Sequence, residues 1–216
     1  MAKTKSEETI VINVPKINLK SVIVTVEGTS SLIMHKWSEK AKKEMLGAQI
    51  NVNVKVKAVR KPRNPVQDFI DSMYWITPPP TEYTEESYLE ALKDAKFGFP
   101  SVAFKKAATS AGYRAKITKD KVSIYGAFYI EGELVEIKGK PIMREDMVRL
   151  NGLSADLRYR GEFTDWSATM TIVYNADVIS AEELVNLLNY GGFACGVGEW
   201  RPEKSGQFGM YQVKLG

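Results

Sequence analysis

The sequence predicts an α+β fold, an antiparallel sheet with helices on one face and an inserted arm. Three observations predict it. Two-residue alternation of apolar and polar side chains recurs in separated stretches, "SVIVTVEG", "WSATMTIVYN" and "MYQVKL" among them. Helical periods with capping residues, "FPSVAFKKAATSAGYR" and "SAEELVNLLNY", stand between them. A basic, then acidic, proline-broken stretch interrupts the chain after its first strand and helix.

In chain order, residues 1–9 ("MAKTKSEET") are polar and are expected to be disordered, leaving one domain over 10–216. "SVIVTVEG" (21–28) sets Val22, Val24 and Val26 on one face of a strand that ends at Gly28. "WSEKAKKEML" spaces Trp37, Ala41 and Met45 as a short amphipathic helix, with Ser38 as its cap. An insertion is predicted at about 48–99. Within it, Ile50, Val52, Val54, Val56 and Ala58 alternate with Asn51, Asn53, Lys55 and Lys57, and the run ends in Arg60, Lys61 and Arg63 broken by prolines. "PPP" (78–80) is a stiff spacer, and "TEESYLEALKDA" is a helix with a Thr84/Ser87-type cap.

Pro100 opens the next helix, with Val102, Phe104 and Ala108 toward the core and a stop near Gly112. "KVSIYGAFYIEG" (121–132) is predicted as a strand, with Val122, Ile124, Phe128 and Ile130 on one face and Tyr125 and Tyr129 on the other. "GLSADLRYRG" is expected to turn Leu153, Ala155, Leu157 and Tyr159 inward and Ser154, Asp156, Arg158 and Arg160 outward. The acidic pair Glu145–Asp146 is expected in a solvated loop. Trp166, Ala168, Met170, Ile172 and Tyr174 alternate as a half-buried strand. Ser180 and Glu183 form a capping box for a helix over 180–190. Strand-helix-strand units with antiparallel returns define a ferredoxin-like or RRM-like frame, which is also the framework of many RNA-binding modules.

Composition bounds the function. The 216 residues are 44% hydrophobic and 26% charged, as in ordinary globular proteins. No apolar run is long enough to span a membrane and no signal peptide opens the chain, so a cytoplasmic protein without a membrane partner is expected. A single cysteine, Cys195, excludes an internal disulfide and a cysteine-rich zinc site. Net charge is +4, unevenly distributed. Residues 1–63 carry 13 Lys/Arg against 5 Asp/Glu, residues 64–100 carry 2 against 7, and residues 101–216 carry 15 against 14. A basic first third attracts polyanions even on a nearly balanced protein.

The densest motif is "GGFACGVGEWRPEKSGQFG" (191–209), with six of the sixteen glycines. It lacks the Gly-Lys-Ser/Thr ending of a phosphate loop, and it follows a helix where a dinucleotide fingerprint would follow a strand. Glycines admit a closely approaching backbone or ligand, and Trp200, Arg201 and Lys204 add a stacking surface and two cations. A tight turn with a bulge is the structural alternative. Lys105 and Lys106 lie early in a helix, where free amides favour phosphate. Tyr125 and Tyr129 are candidates to stack on bases, and Lys55/Lys57 and Arg158/Arg160 are paired cations on strands. The unique histidine, His35, is a candidate general acid or base with no recognisable partner in sequence. Carboxylates show no metal-ligand spacing, and no cofactor is implied.

Three of these features together resemble the RAMP superfamily, ferredoxin-like RNA-binding proteins best known as backbone subunits of CRISPR effector complexes. They are the strand "SVIVTVEG" followed by an insertion, the helix "FPSVAFKKA" (Pro100–Ala107), and the glycine-rich loop before the last strand. The resemblance implies phosphate contacts from Ser101, Lys105, Lys106 and the backbone around Gly192, Gly196 and Gly198. It implies a clamping arm bearing Lys55, Lys57, Arg60, Lys61 and Arg63, and self-association along a strand. Some relatives are metal-independent ribonucleases that use an early histidine, which His35 would match. Others cleave with an aspartate after the first strand, where this chain has "GTSSLIMHKW" and no Asp.

The expected function is therefore a non-catalytic, single-stranded nucleic-acid-binding protein that grips the phosphate backbone and assembles as a filament. A ribonuclease using His35 and a protein–protein scaffold are the alternatives. DNA or RNA, and a CRISPR, phage or plasmid setting, are left open by the sequence.

Overall fold

The computed structural model describes residues 16–37, 42–43, 45–47, 62–117, 121–150 and 154–214. Its strands are β1 (Leu19–Gly28), β2 (Leu32–Met34), β3 (Tyr74–Trp75), β4 (Phe97–Pro100), β5 (Phe128–Ile130), β6 (Leu134–Lys138), β7 (Pro141–Leu150), β8 (Ser154–Phe163), β9 (Ser167–Asn175) and β10 (Tyr211–Val213). The helices are α1 (Pro65–Asp71), α2 (Glu85–Ala91), α3 (Ser101–Arg114), α4 (Lys121–Tyr125) and α5 (Ala181–Ala194). The fold is α+β.

The main sheet runs β10-β1-β9-β6-β4-β3, with β5 also on β9. Every pairing is antiparallel. β1 pairs with β9 from Leu19↔Asn175 to Glu27↔Ser167 and with β10 through Gly28↔Tyr211. Because β5 and β6 lie end to end along the same edge of β9, they act as one interrupted strand. With α3 leading into that strand and α5 joining β9 to β10, the arrangement is the ferredoxin-like β-α-β-β-α-β unit.

The local reasons match the alternation. Val24 and Val26 of β1 and Ala168, Met170, Ile172 and Tyr174 of β9 are buried, placing both apolar faces under the helices. Ser180 Oγ accepts from the Glu183 amide at 3.1 Å, and the Ser180 amide donates to Glu183 Oε2 at 2.8 Å, which fixes the start of α5. Thr84 Oγ1 accepts from the Ser87 amide at the start of α2.

Several expectations are corrected. Residues 121–125 form helix α4, and only Phe128–Ile130 are strand, so Tyr125 and Tyr129 do not share a strand face. A five-residue stretch with two apolar residues fits one helical turn as well as a strand. In β8 the predicted faces hold only in part: Ala155 and Leu157 are exposed and Arg160 is buried, whereas Tyr159 packs partly buried against the core. Alternation defines two faces, and here the polar one is covered, because its charges have partners. Asp146 is likewise buried in β7, not in a loop. Val102 faces outward from α3. Lys42, Lys43 and Met45–Gly47 are helical, with Trp37 and Met45 exposed.

Residues 62–99 of the insertion are built into the body. Phe69, Ile70, Met73, Tyr88, Phe97 and Phe99 belong to the same core as Val26 and Leu184, and β3 and β4 extend the main sheet. A second sheet, β2-β8-β7, stands beside the first.

Candidate nucleic-acid interface

The glycine-rich stretch begins inside a helix. α5 runs through Gly191 and Gly192 to Ala194, four residues beyond its predicted end, although glycine costs a helix about 1 kcal/mol relative to alanine. Both glycines are buried where neighbouring backbone passes close, Gly191 against α3 and Gly192 against Tyr211. The following loop is then stitched to the protein. The Val197 amide donates to the Gly209 carbonyl (2.9 Å), Gly209 to Ser31 (2.7 Å) and Glu199 to Ile33 (3.0 Å). Gly198, at φ +81°, packs on the Ile33 carbonyl. What comes close to these glycines in the structure is the chain's own backbone.

Beside this loop lies a cleft of about 210 Å³. One wall is α3 with Lys106, a second is the loop with Gly196, Gly198 and Glu199, and His35 after β2 and Tyr74 of β3 complete it. Arg201 and Glu203 border the loop side. The fold thus gathers His35, Lys106, Gly196, Gly198 and Arg201, which the sequence had scattered over the whole chain.

Electrostatics divide these groups. His35 Nδ1 lies 3.8 Å from Glu199 Oε1. Burial, followed by Arg160, pushes the imidazole pKa down, Glu199 pulls it back up, and Arg158 adds a smaller downward push. Arg160 is only 2% exposed. It donates to Asp146 Oδ2 at 3.3 Å, while its Nε finds no hydrogen-bond partner among the described residues. Arg144 joins Asp146 at 2.9 Å and Glu162 at 3.2 Å and lies over the rings of Phe208 and Trp200.

The other candidate cations separate into braces and free ends. Lys105 Nζ donates to the Tyr125 carbonyl at 2.7 Å and sits over Phe128, and burial lowers its pKa. Lys106, one residue on, is exposed. Arg63 binds both Asp68 and Asp156 and covers Tyr159. Arg158 pairs with Asp156 at 3.6 Å. Arg201 makes two bonds to Glu203 and a third to the Gly198 carbonyl, so it braces the loop. Ser101 is buried and its hydroxyl donates to the Gly132 carbonyl at 2.6 Å. Trp200 is partly exposed, at φ +53°, and Lys204 is exposed. Tyr125 and Tyr129 are exposed away from the cleft lining. Lys55, Lys57, Arg60 and Lys61 lie outside the described residues.

No family model and no curated protein matches the sequence. Among solved structures, the chain is similar to the crystal structure of Cmr6 from Pyrococcus furiosus, over 92% of this chain and 99% of that one, with 11% identity and a TM-score of 0.44. At that distance the likeness assigns no family and no activity.

Tyr74, Glu199 and Glu203 are polar cleft residues that sequence reasoning missed. Tyr74 arrives only through the pairing Tyr74↔Gly98, which no local pattern announces. Glu199 sits in "GEW" within the glycine stretch, where attention to cations passes over a carboxylate. Among the described residues, no group of three or more His, Cys, Asp or Glu is placed to hold a metal ion, and no helix is long and apolar enough to cross a membrane.

Proposed function

We propose that this protein binds single-stranded nucleic acid without cleaving it, and that copies associate along the strand. The observation that carries the reading is the cleft itself. An exposed lysine, Lys106, stands at a groove whose other walls are the braced glycine loop and the His35 end of β2. A cation held beside a rigid, partly aromatic groove is the chemistry that follows a phosphate backbone while leaving bases accessible. Lys204 and Trp200 of the same loop are exposed outside the cleft lining, with the Trp200 ring against Phe208 and Arg144.

The test is binding of nuclease-treated protein to labelled single-stranded DNA, single-stranded RNA and duplex DNA across a salt series. Single-strand binding that weakens steeply with salt is expected. Absence of binding at low salt would overturn the reading and favour a protein–protein scaffold.

One observation supports ribonuclease activity as a second reading. His35 faces Glu199, and its lowered pKa keeps the ring neutral and able to accept a proton near neutrality. RNA cleavage by the unmodified protein that His35→Ala abolishes, with binding retained, would establish it.

A further inference from the structure

We propose that the cleft beside the glycine loop receives one unstacked guanine base, with Glu199 reading its Watson–Crick edge. This rests on the single-strand binding proposed above and names what that site selects.

The charges on the cleft wall do not suit phosphate. A pocket meant for phosphate alone is lined by donors only, yet beside Lys106, Arg201 and His35 this one carries two carboxylates, Glu199 and Glu203. Glu203 is spoken for, since it takes two bonds from Arg201 and an ion pair from Arg114 at 3.5 Å. Glu199 is different. Its ion pair with His35, at 3.8 Å, is beyond hydrogen-bond length, and although its charge also acts on the buried Arg160, no described group donates to its oxygens, which keep acceptor capacity. A carboxylate in that state repels phosphate and attracts N–H donors. The backbone is therefore held at the mouth by Lys106, and a donor-bearing group enters.

Size and shape narrow the class. At about 210 Å³ the cleft is smaller than the roughly 300–1,000 Å³ of drug-sized pockets, so it admits a single flat ring system and not a stretch of chain. Tyr74, on the cleft wall, is propped edge-on by Phe99 at 5.6 Å, which fixes an aromatic surface for a base. Burial and the nearby Glu199 raise the Tyr74 pKa, keeping it a neutral phenol. Unstacked bases in proteins are held in this way, on aromatic rings with their edges hydrogen-bonded.

Donor count then selects the base. A carboxylate presents two acceptors side by side. Guanine places N1–H and the 2-amino group next to each other on its Watson–Crick edge, whereas adenine and cytosine pair one donor with an acceptor, and thymine or uracil flanks one donor with two acceptors. Guanine alone satisfies both oxygens.

The experiment compares, by fluorescence anisotropy at one salt concentration, the full chain binding single-stranded oligomers of equal length. One contains adenine throughout. In the others every third base is 7-deazaguanine, which keeps both donors and avoids four-stranded structures, or hypoxanthine, which lacks the 2-amino group. The 7-deazaguanine oligomer is expected to bind about tenfold tighter than the adenine one, within the range of a good bidentate base contact. The hypoxanthine oligomer should fall between, and the ratio should collapse to about one in Glu199→Gln. Equal affinities in the unmodified protein, or a preference that survives Glu199→Gln, would overturn the guanine site while leaving single-strand binding in place. No binding of any oligomer at low salt would overturn both.

Discussion

Gly191 in α5 lies so close to α3 that a methyl group on it would sit 2.9 Å from the Ala108 Cα and 2.7 Å from the Ala108 nitrogen. Those atoms are backbone and cannot swing aside, so Gly191→Ala must push the two helices apart. Overpacking of this kind costs about 1–3 kcal/mol. Denaturant unfolding should show a lower midpoint with the slope unchanged; an unchanged midpoint would mean the helices do not meet at this glycine.

The two adjacent lysines should behave differently. Lys106→Ala is expected to weaken binding to single strands of every sequence and to flatten the log–log salt slope by about 0.7 for each phosphate that the side chain neutralises. Lys105→Ala should leave that slope alone and lower the melting temperature, because Lys105 ties α3 to the Tyr125 carbonyl. Identical effects from both variants would contradict the distinction.

Asp146 offers a test of the buried charge cluster. It lies between Arg144 and Arg160, the latter buried, so Asp146→Ala removes the carboxylate that accepts from Arg160 away from water and leaves Glu199 as the neighbouring negative charge. Breaking a buried pair from one side costs about 3–5 kcal/mol. A destabilisation well under 1 kcal/mol in chemical denaturation would show that water reaches Arg160.

His35 links stability to pH. Its folded pKa lies below the ordinary 6.5, with burial the largest cause. The unfolded chain therefore binds more protons as pH falls, so stability rises with pH through this window. The contribution of the neutral ring is present above 6.5 and is lost as pH drops from there through the depressed folded value. The chain has a single histidine, so its ring resonances can be followed without assignment by NMR. A midpoint below 6.5 is expected, moving lower in Glu199→Gln, which removes an opposing charge. A midpoint at or above 6.5 would refute the burial of the ring.

Much of this fold was legible wherever one face of an element meets the core and the other meets water. Val24 and Val26, the alternation from Ala168 to Tyr174, and the Ser180–Glu183 box each carry their own local signal. β8 misled because Arg160 and Asp146 lie on opposite strands of one hairpin and cover each other, an arrangement that two-residue alternation cannot distinguish from exposure. The glycines announced close approach correctly, yet nothing local says whether the approaching group is a ligand or Tyr211 and Ile33 of the same chain. Of the candidate site, His35, Lys106 and Arg201 were visible as chemistry. Their meeting was not, since it depends on strand order between distant parts of the chain.

That strand order has a consequence during synthesis. β1 (Leu19–Gly28) leaves the ribosome long before its two neighbours in the sheet, β9 (Ser167–Asn175) and β10 (Tyr211–Val213). At about 5–20 residues per second, both edges of a valine-rich strand stay without their native partners for on the order of ten seconds or more. Until Tyr211 arrives opposite Gly28, the nascent chain exposes an apolar ribbon to whatever else is nearby. A strand open on both edges for that long is a template on which like chains can pair.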